Sequence, residues 1–185
     1  VMQGVTEFGS ETVFMVAALF LFWCVSKRGG YYLFLIGFFG TTLNQSLKLI
    51  FRVPRPWVID PNFTIVESAR ADAGGYSFPS GHTQTAVGTW GGIARMTDKK
   101  WARWLCLALV LLVPFSRMYL GVHTPLDVSV AFVTAAALVF ALWPLIKRSD
   151  ANPRILPLLL AAVALCSAAY LVYATAYPFP ADGDR

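Results

Sequence analysis

The chain has only two histidines, and both have neighbours that suit acid–base or nucleophilic chemistry. His123 and Asp127 are four residues apart, which is one turn of a helix, so their side chains can meet. Asp127 can then accept a hydrogen bond from one ring nitrogen and leave the other as a base or nucleophile. Arg117 precedes the pair, and its guanidinium can hold two oxygens of a phosphate. The alternative is a buried His–Asp pair with a purely structural role.

The second histidine, His82, ends the stretch Pro79-Ser80-Gly81-His82 at the start of a predicted helix. Backbone N–H groups at a helix start lack intrahelical partners and are partly positive, so they bind phosphate oxygens. Gly81 allows the backbone to approach such a group closely. Ser80 can cap the helix or donate its hydroxyl. The alternative is a capped helix start with an incidental histidine.

A third polar cluster contains Lys48 and Arg55, seven residues apart near the end of an apolar segment. Seven residues are about two helical turns, so both cations lie on one side, which Arg52 can share. Cations on a membrane helix need an anionic partner. The alternative is that these side chains extend towards lipid headgroups.

The three clusters together resemble the type 2 phosphatidic acid phosphatase superfamily. The resemblance covers Lys48-(six residues)-Arg55-Pro56, then Pro79-Ser80-Gly81-His82, then Ser116-Arg117-(five residues)-His123-(three residues)-Asp127. All three motifs occur in the family's order and with its internal spacings, over about residues 14–145. The family includes bacterial undecaprenyl-diphosphate phosphatases, glucose-6-phosphatase and vanadium haloperoxidases.

This resemblance implies a role for each matching residue. His123 would attack phosphorus and form a phosphohistidine, Asp127 would orient it, and His82 would protonate the leaving oxygen. The substrate's phosphate would be held by Lys48, Arg55, Ser80, Gly81 and Arg117. Cations and amides would supply the electrostatic stabilisation, so no metal or other cofactor is expected. The expected substrate is a lipid monophosphate or diphosphate, with undecaprenyl diphosphate first and phosphatidic acid or phosphatidylglycerol phosphate next.

Three other interpretations stay open. A vanadate-dependent haloperoxidase uses the same phosphate cradle, although known examples are largely soluble. A bundle that binds or moves lipid phosphates without catalysis is a second alternative, and the complete His–Asp–His set argues against it. A purely structural membrane protein would leave the intramembrane cations without a purpose.

The composition indicates what kind of protein must position these residues. Of the 185 residues, 57% are hydrophobic and 14% are charged, whereas soluble domains carry about 25% charged residues. One integral membrane domain covering residues 1–185 is therefore expected.

The net charge of +5 fits loop cations that set topology, and no nucleic-acid partner is expected. The three cysteines each lie in an apolar run, which does not indicate a disulfide framework or a zinc site.

The hydrophobic pattern predicts an all-α bundle of about six transmembrane helices. The predicted spans cover about residues 13–25, 31–51, 80–96, 101–115, 125–146 and 155–177, with a basic turn at 27–30 and a loop at 116–124. Residues 57–78 form the longest polar stretch, with interleaved aromatics that suit the headgroup layer and a short interfacial helix near 65–71. The phosphatase core is expected over about residues 11–147, and the helix at about 155–177 is additional.

The cations predict an orientation in the membrane. Nine of the fifteen Lys and Arg residues lie near the turns after the first, third and fifth spans, and six lie on the opposite side. By the positive-inside rule the nine-cation side is cytoplasmic. The three clusters are therefore expected on the extracytoplasmic face of a cell membrane, where lipid bilayer and lipid phosphate are the partners. The sequence carries no signal for an oligomeric state.

Overall fold

The structure is a computed structural model, and it describes residues 1–70 and 73–177. All regular elements within these residues are helical. The α-helices are α1 (Met2–Thr6), α2 (Glu11–Phe20), α3 (Lys27–Phe51), α4 (Pro56–Ile59), α5 (Glu67–Arg70), α6 (Gly81–Met96), α7 (Lys100–Tyr119), α8 (Pro125–Arg148) and α9 (Ile155–Ala176). A 3₁₀ turn at Glu7–Gly9 precedes α2, and a π-helical turn at Leu21–Val25 follows it.

Four helical segments in the described part of the chain are long and apolar enough to cross a membrane. They are Lys27–Ile59, Lys100–Tyr119, Pro125–Arg148 and Ile155–Ala176. A fifth candidate is the pair Met2–Gly9 and Glu11–Val25, which is bent by 52° at its break. The described residues thus form an all-helical structure with four or five candidate membrane-spanning helices.

Helix α6 has 16 residues and is not one of those candidates, although the sequence predicted a span over the same region. It lies at the centre of the bundle and packs against α3, α7 and α8. Two glycines allow this contact, because a Cβ on Gly92 would come within 2.6 Å of Leu33 Cδ2, and one on Gly88 within 2.8 Å of Ile36 Cγ2. Such small residues let helix backbones approach closely.

Several boundaries differ from the predicted ones. Residues 27–30 begin α3 instead of forming a turn, because the Ser26 side chain accepts a hydrogen bond from Gly29 N (3.3 Å) and caps the helix there. Helix α7 continues through Pro114 to Tyr119, so Ser116 and Arg117 lie in its last turns and not in a loop. The four-residue helix α5 lies within the stretch 65–71 where the sequence predicted a short interfacial helix, and residues 71 and 72 lie outside the described residues.

The helices alternate in direction, so that the three predicted clusters meet at one end of the bundle. This end, called the site end here, holds the starts of α2, α6 and α8 and the ends of α3, α7 and α9. Ser10 and Ser80 cap α2 and α6 there, each accepting a hydrogen bond from the backbone N–H three residues on. The capped starts fix the backbone around the site.

Candidate active site

A cavity of about 490 Å³ opens at the site end. Six of the eight residues predicted from sequence line it, namely Lys48, Arg55, Gly81, His82, Arg117 and His123. The other two, Ser80 and Asp127, are buried beside it. The amide N–H of Ser80 donates to the Asp127 carbonyl (3.1 Å), which ties the start of α6 to the start of α8. The structure therefore brings all eight residues together.

His123 lies between a carboxylate and a guanidinium. Its Nδ1 is 3.5 Å from Asp127 Oδ2, which is longer than an ordinary hydrogen bond, and its Nε2 is 3.1 Å from Arg55 Nη1. With a proton on Nδ1 facing the carboxylate, the lone pair lies on Nε2. The side chain is 4% exposed and lines the cavity just before α8 begins.

Burial lowers the pKa of His123 from its usual value near 6.5 to about 3, and the positive charges of Arg55, Arg117 and Lys48 act in the same direction. The hydrogen bond to Asp127 opposes this shift. A lowered pKa means that the proton leaves more easily, so the imidazole is neutral at physiological pH. A neutral imidazole has the lone pair that a nucleophile or base requires.

Asp127 is fixed by two residues that were not predicted. Ser77 Oγ donates to Asp127 Oδ2 (2.5 Å), and Thr124 N donates to the same oxygen (2.8 Å). Thr124 Oγ1 in turn accepts from Asp127 N (3.3 Å), which completes a capping box at the start of α8. The Thr-x-x-Asp spacing could have revealed Thr124. Ser77 is 50 residues from Asp127 in the chain, and no local signal identifies it.

Arg55 is held by the backbone of two loops. Its Nε donates to Gly75 O and its Nη2 to Gly74 O, both at 2.9 Å, and Nη1 donates to Val122 O at 3.0 Å. The guanidinium is fixed across the cavity wall, although Arg55 itself comes just after α3. Carbonyl oxygens orient the positive group without neutralising it, so it remains able to attract an anion.

The other two cations lie at the ends of α3 and α7. Lys48 Nζ donates to the carbonyl of Tyr76 (2.5 Å), and Arg117 Nη1 donates to Thr6 Oγ1 (3.0 Å). Arg117 is only 1% exposed, because α1 packs over it. Thr6 was not among the predicted site residues, because its partner lies 111 residues away in the sequence. Three guanidinium or ammonium groups thus surround one cavity, a strongly attractive site for a phosphate.

His82 is the second residue of α6 and lines the cavity together with the Gly81 backbone. Across the cavity, α9 contributes Tyr170 and Ala174 to the wall, and α2 contributes Glu11. No site residue was predicted on α9. Among the described residues there is no group of three or more His, Cys, Asp or Glu side chains placed to hold a metal ion.

The chain is similar in sequence to two undecaprenyl-diphosphatases. The chain is 33% identical over 115 residues to the undecaprenyl-diphosphatase BcrC of Bacillus subtilis, covering 62% of this chain and 56% of that one. It is 30% identical over 141 residues to an undecaprenyl-diphosphatase of Sulfolobus acidocaldarius, covering 75% of this chain and 66% of that one. The chain thus spans less than two thirds of either relative.

A solved structure shares the fold. The crystal structure of Aquifex aeolicus LpxE superposes with a TM-score of 0.64 at 26% identity, covering 76% of this chain and 81% of that one. The model of the PAP2 superfamily matches residues 28–151, the stretch that contains all eight predicted site residues. The match extends over about two thirds of the chain, and with the site geometry it shows that the protein belongs to the PAP2 superfamily.

Proposed function

We propose that the protein is a membrane lipid phosphatase, which hydrolyses a lipid monophosphate or diphosphate through a phosphohistidine intermediate. The observation that carries the proposal is the single cavity in which three cations surround His123 and its Asp127 partner. The two relatives named as undecaprenyl-diphosphatases support undecaprenyl diphosphate as the first substrate to try. Phosphatidic acid and phosphatidylglycerol phosphate are the next candidates.

In the first chemical step, the lone pair on His123 Nε2 attacks phosphorus, and the bond between phosphorus and the leaving oxygen breaks. Asp127 stabilises the imidazolium that forms, as the carboxylate of a catalytic triad does. His82 donates a proton to the leaving oxygen. Water then attacks the phosphohistidine and gives a proton to His82, the bond between Nε2 and phosphorus breaks, and inorganic phosphate leaves with both histidines in their starting states.

The negative charge of the phosphate increases on its outer oxygens as the bond forms. Lys48, Arg55 and Arg117 are positioned to bind those oxygens, and the Gly81 N–H at the start of α6 can add a hydrogen bond. Ser80 holds the loop backbone through its cap on Thr83 N (3.4 Å). Since these groups stabilise the charge, the proposed reaction needs no metal.

We place this chemistry in a single membrane domain whose phosphatase core covers about residues 11–147, with α9 as an additional helix. In this proposal the chain crosses the membrane six times, with α6 as a short buried pass and the bent α1–α2 region as another. Helix α5 lies at the interface. The distribution of Lys and Arg supports an extracytoplasmic site in a cell membrane.

The test is phosphate release by the purified full-length chain in detergent, from a panel of undecaprenyl diphosphate, phosphatidic acid and phosphatidylglycerol phosphate. We expect release that persists in excess EDTA and is inhibited by vanadate, which mimics five-coordinate phosphorus. We expect His123→Ala to abolish release while the protein stays folded. Substrate binding without release would support a non-catalytic lipid-binding bundle. Peroxide-dependent halide oxidation with vanadate would support a haloperoxidase.

A further inference from the structure

A cavity of about 440 Å³ lies at the end of the bundle opposite the site end, between α6, α7 and α8. Its lining is mostly apolar and includes Val87, Gly91, Leu107, Val110, Phe132 and Val139. Helices α7 and α8 each pack closely against α6, whereas they touch each other little. The cavity is therefore a groove with α6 as its floor and with α7 and α8 as its walls. We call it the α7–α8 groove.

Two arginines lie at the outer end of the α7–α8 groove. Arg95 comes from the last turn of α6 and Arg103 from the first turn of α7, and both line the groove. Arg103 Nη2 donates to Thr97 O (2.7 Å), and its Nε donates to Ala94 O (3.3 Å). The Arg95 guanidinium lies 4.9 Å from the centre of the Phe140 ring. Carbonyl oxygens and an aromatic face orient the two positive groups without neutralising them.

The charges of Arg95 and Arg103 are not balanced by a carboxylate. Asp98 lies in the turn between α6 and α7, yet neither it nor any other acid in the described part of the chain forms an ion pair with either arginine. Lys99 and Lys100 add two further positive charges to the same turn. Cations at the edge of an apolar membrane surface attract the anionic headgroups of lipids. The groove is thus positive at its outer end and apolar beyond it.

The length of the groove fits an acyl chain. From Arg95 inwards it follows α6 as far as Val87, which is roughly 12 Å at 1.5 Å per residue. It follows α8 over the same number of residues, from Phe140 to Phe132. The hydrocarbon of one bilayer leaflet is about 15 Å thick, half of the usual core. A chain whose headgroup lies at the arginines would contact the groove through most of its leaflet.

We propose that the α7–α8 groove binds one anionic phospholipid, with its phosphate at Arg95 and Arg103 and an acyl chain along the groove. The site is at the opposite end of the bundle from the active-site cavity, and its ligand is not the substrate. An anionic headgroup is favoured over a zwitterionic one, because the two arginines repel the cationic part of a zwitterionic headgroup. The bound lipid would fill the space between α7 and α8 and so stabilise both helices against α6.

The first test removes the charge at the outer end of the groove. Binding of phosphatidylglycerol to the purified full-length protein in a neutral detergent is measured by native mass spectrometry, with phosphatidylcholine as the comparison lipid. A cation beside an anionic lipid typically contributes about fivefold in affinity. We therefore expect the double variant Arg95→Gln/Arg103→Gln to raise the Kd for phosphatidylglycerol at least about tenfold.

The matched control is the double variant Lys99→Gln/Lys100→Gln. It removes the same charge from the same turn, but neither lysine lines the groove. Its Kd should change much less. Equal losses in the two double variants would attribute binding to the general positive charge of this end and overturn the proposal. Phosphatidylglycerol that enters the active-site cavity does not confuse the comparison, because both pairs lie at the opposite end.

The second test fills the groove with Ala136→Phe, since Ala136 lines it. Ala137→Phe is the control, because Ala137 is exposed and does not line the groove. The measurement is the rise in the thermal unfolding midpoint when phosphatidylglycerol is added. We expect a rise for wild type and Ala137→Phe and none for Ala136→Phe. If Ala136→Phe does not fold, the arginine variants decide the question.

Three results of the second test would contradict the site. A normal rise for Ala136→Phe would mean that the lipid lies elsewhere. An equal rise of wild type with phosphatidylcholine would mean that the groove holds ordinary bilayer lipid without regard to charge. A dimer of the wild type that Ala136→Phe dissociates would mean that a second copy of the chain occupies the groove.

Discussion

Asp127 takes part in two structures at once. Its carboxylate completes the capping box that begins α8, and the same oxygen faces His123 Nδ1. Ser77 and Thr124 both donate to that oxygen, so its position is set from two directions before the imidazole approaches. The start of a helix and the orientation of a nucleophile therefore depend on one carboxylate.

The first prediction concerns this carboxylate. Asp127→Asn should lower kcat by up to about 10⁴-fold, since an amide does not stabilise the imidazolium as a carboxylate does.

Ser77→Ala removes one hydrogen bond to a charged group, worth about 1.5–3 kcal/mol, so kcat should fall about 10- to 100-fold with KM little changed. Ser149→Ala at the opposite end of the bundle is the control and should match wild type. A Ser77→Ala enzyme with normal kcat would show that Asp127 does not need this support.

The second prediction separates the roles of the two histidines. If His82 protonates the leaving oxygen, an alkyl phosphate needs it because an alkoxide is a poor leaving group. A nitrophenolate leaves without much help. General acid catalysis contributes about 10²–10⁴-fold, so His82→Ala should lose most of that factor on an alkyl phosphate and much less on p-nitrophenyl phosphate.

The comparison variant for this experiment is His123→Ala. It should reduce turnover of both substrates equally, because attack on phosphorus is common to both. The measurement is kcat for wild type and the two variants on each substrate. Equal losses for His82→Ala on both substrates would mean that His82 binds phosphate and is not the acid.

At the scale of the elements, α6 positions the site through its close contact with α3. Gly88 and Gly92 face Ile36 and Leu33, and a Cβ at either position would lie less than 3.0 Å from a side-chain carbon. The contact lies about two to three turns beyond the start of α6, yet it fixes the helix whose start carries Gly81 and His82. A displaced α6 would move both residues relative to Lys48 on α3.

The third prediction tests this contact. Gly92→Leu should destabilise the protein by about 1–3 kcal/mol, the usual cost of forcing extra atoms into a packed interior. Gly91→Ala is the control, because its Cβ would lie 3.6 Å from Val139 Cγ2, an ordinary contact distance. The measurement is the thermal unfolding midpoint in detergent for both variants. A Gly92→Leu protein as stable as wild type would mean that α3 and α6 can separate without cost.

Some element boundaries could be read from the sequence and others could not. The predicted start of α6 was correct, because a serine before an apolar segment is a local sequence signal for a helix N-cap. The end of α7 was predicted too early, at residue 115, because the polar residues from Ser116 onwards indicated a loop, whereas the helix continues to Tyr119. The prediction of a turn at residues 27–30 was also wrong. Two glycines in a row indicate a turn, but here they lie in the first turn of a helix that Ser26 caps.

The residues of the candidate site also divide into those that the sequence could predict and those that it could not. The eight predicted residues could be found because their motifs are local, and the structure brings them to one cavity. Ser77 and Thr6 could not be found, since each bonds to a partner at least 50 residues away in the sequence that only the folded bundle brings near. Tyr170 could not be found because it lies on a helix that carries none of the three motifs. Local spacing identifies the chemistry, and packing identifies what supports it.

At the scale of the whole molecule, all the clusters lie at one end of the bundle and most of the remaining cations lie at the other. The fourth prediction is the orientation that this asymmetry implies. In a variant without the three native cysteines, a cysteine at the exposed position Asn62 should react with a membrane-impermeant maleimide on intact cells. A cysteine at Lys99 should react only after the membrane is permeabilised. The reverse pattern would place the site in the cytoplasm.

The contact between Arg55 and His123 has a consequence for how a substrate would meet the nucleophile. Arg55 Nη1 lies 3.1 Å from Nε2 and 3.5 Å from Nδ1 of the imidazole, so the guanidinium lies beside the ring and is not in line with the Nε2 lone pair. Under the proposed mechanism, Arg55 can therefore bind an outer phosphate oxygen while Nε2 attacks phosphorus. Recruitment of the anion and its alignment with the nucleophile then become one event. An uncharged ester would reach the imidazole without that alignment, because it offers Arg55 no negative charge.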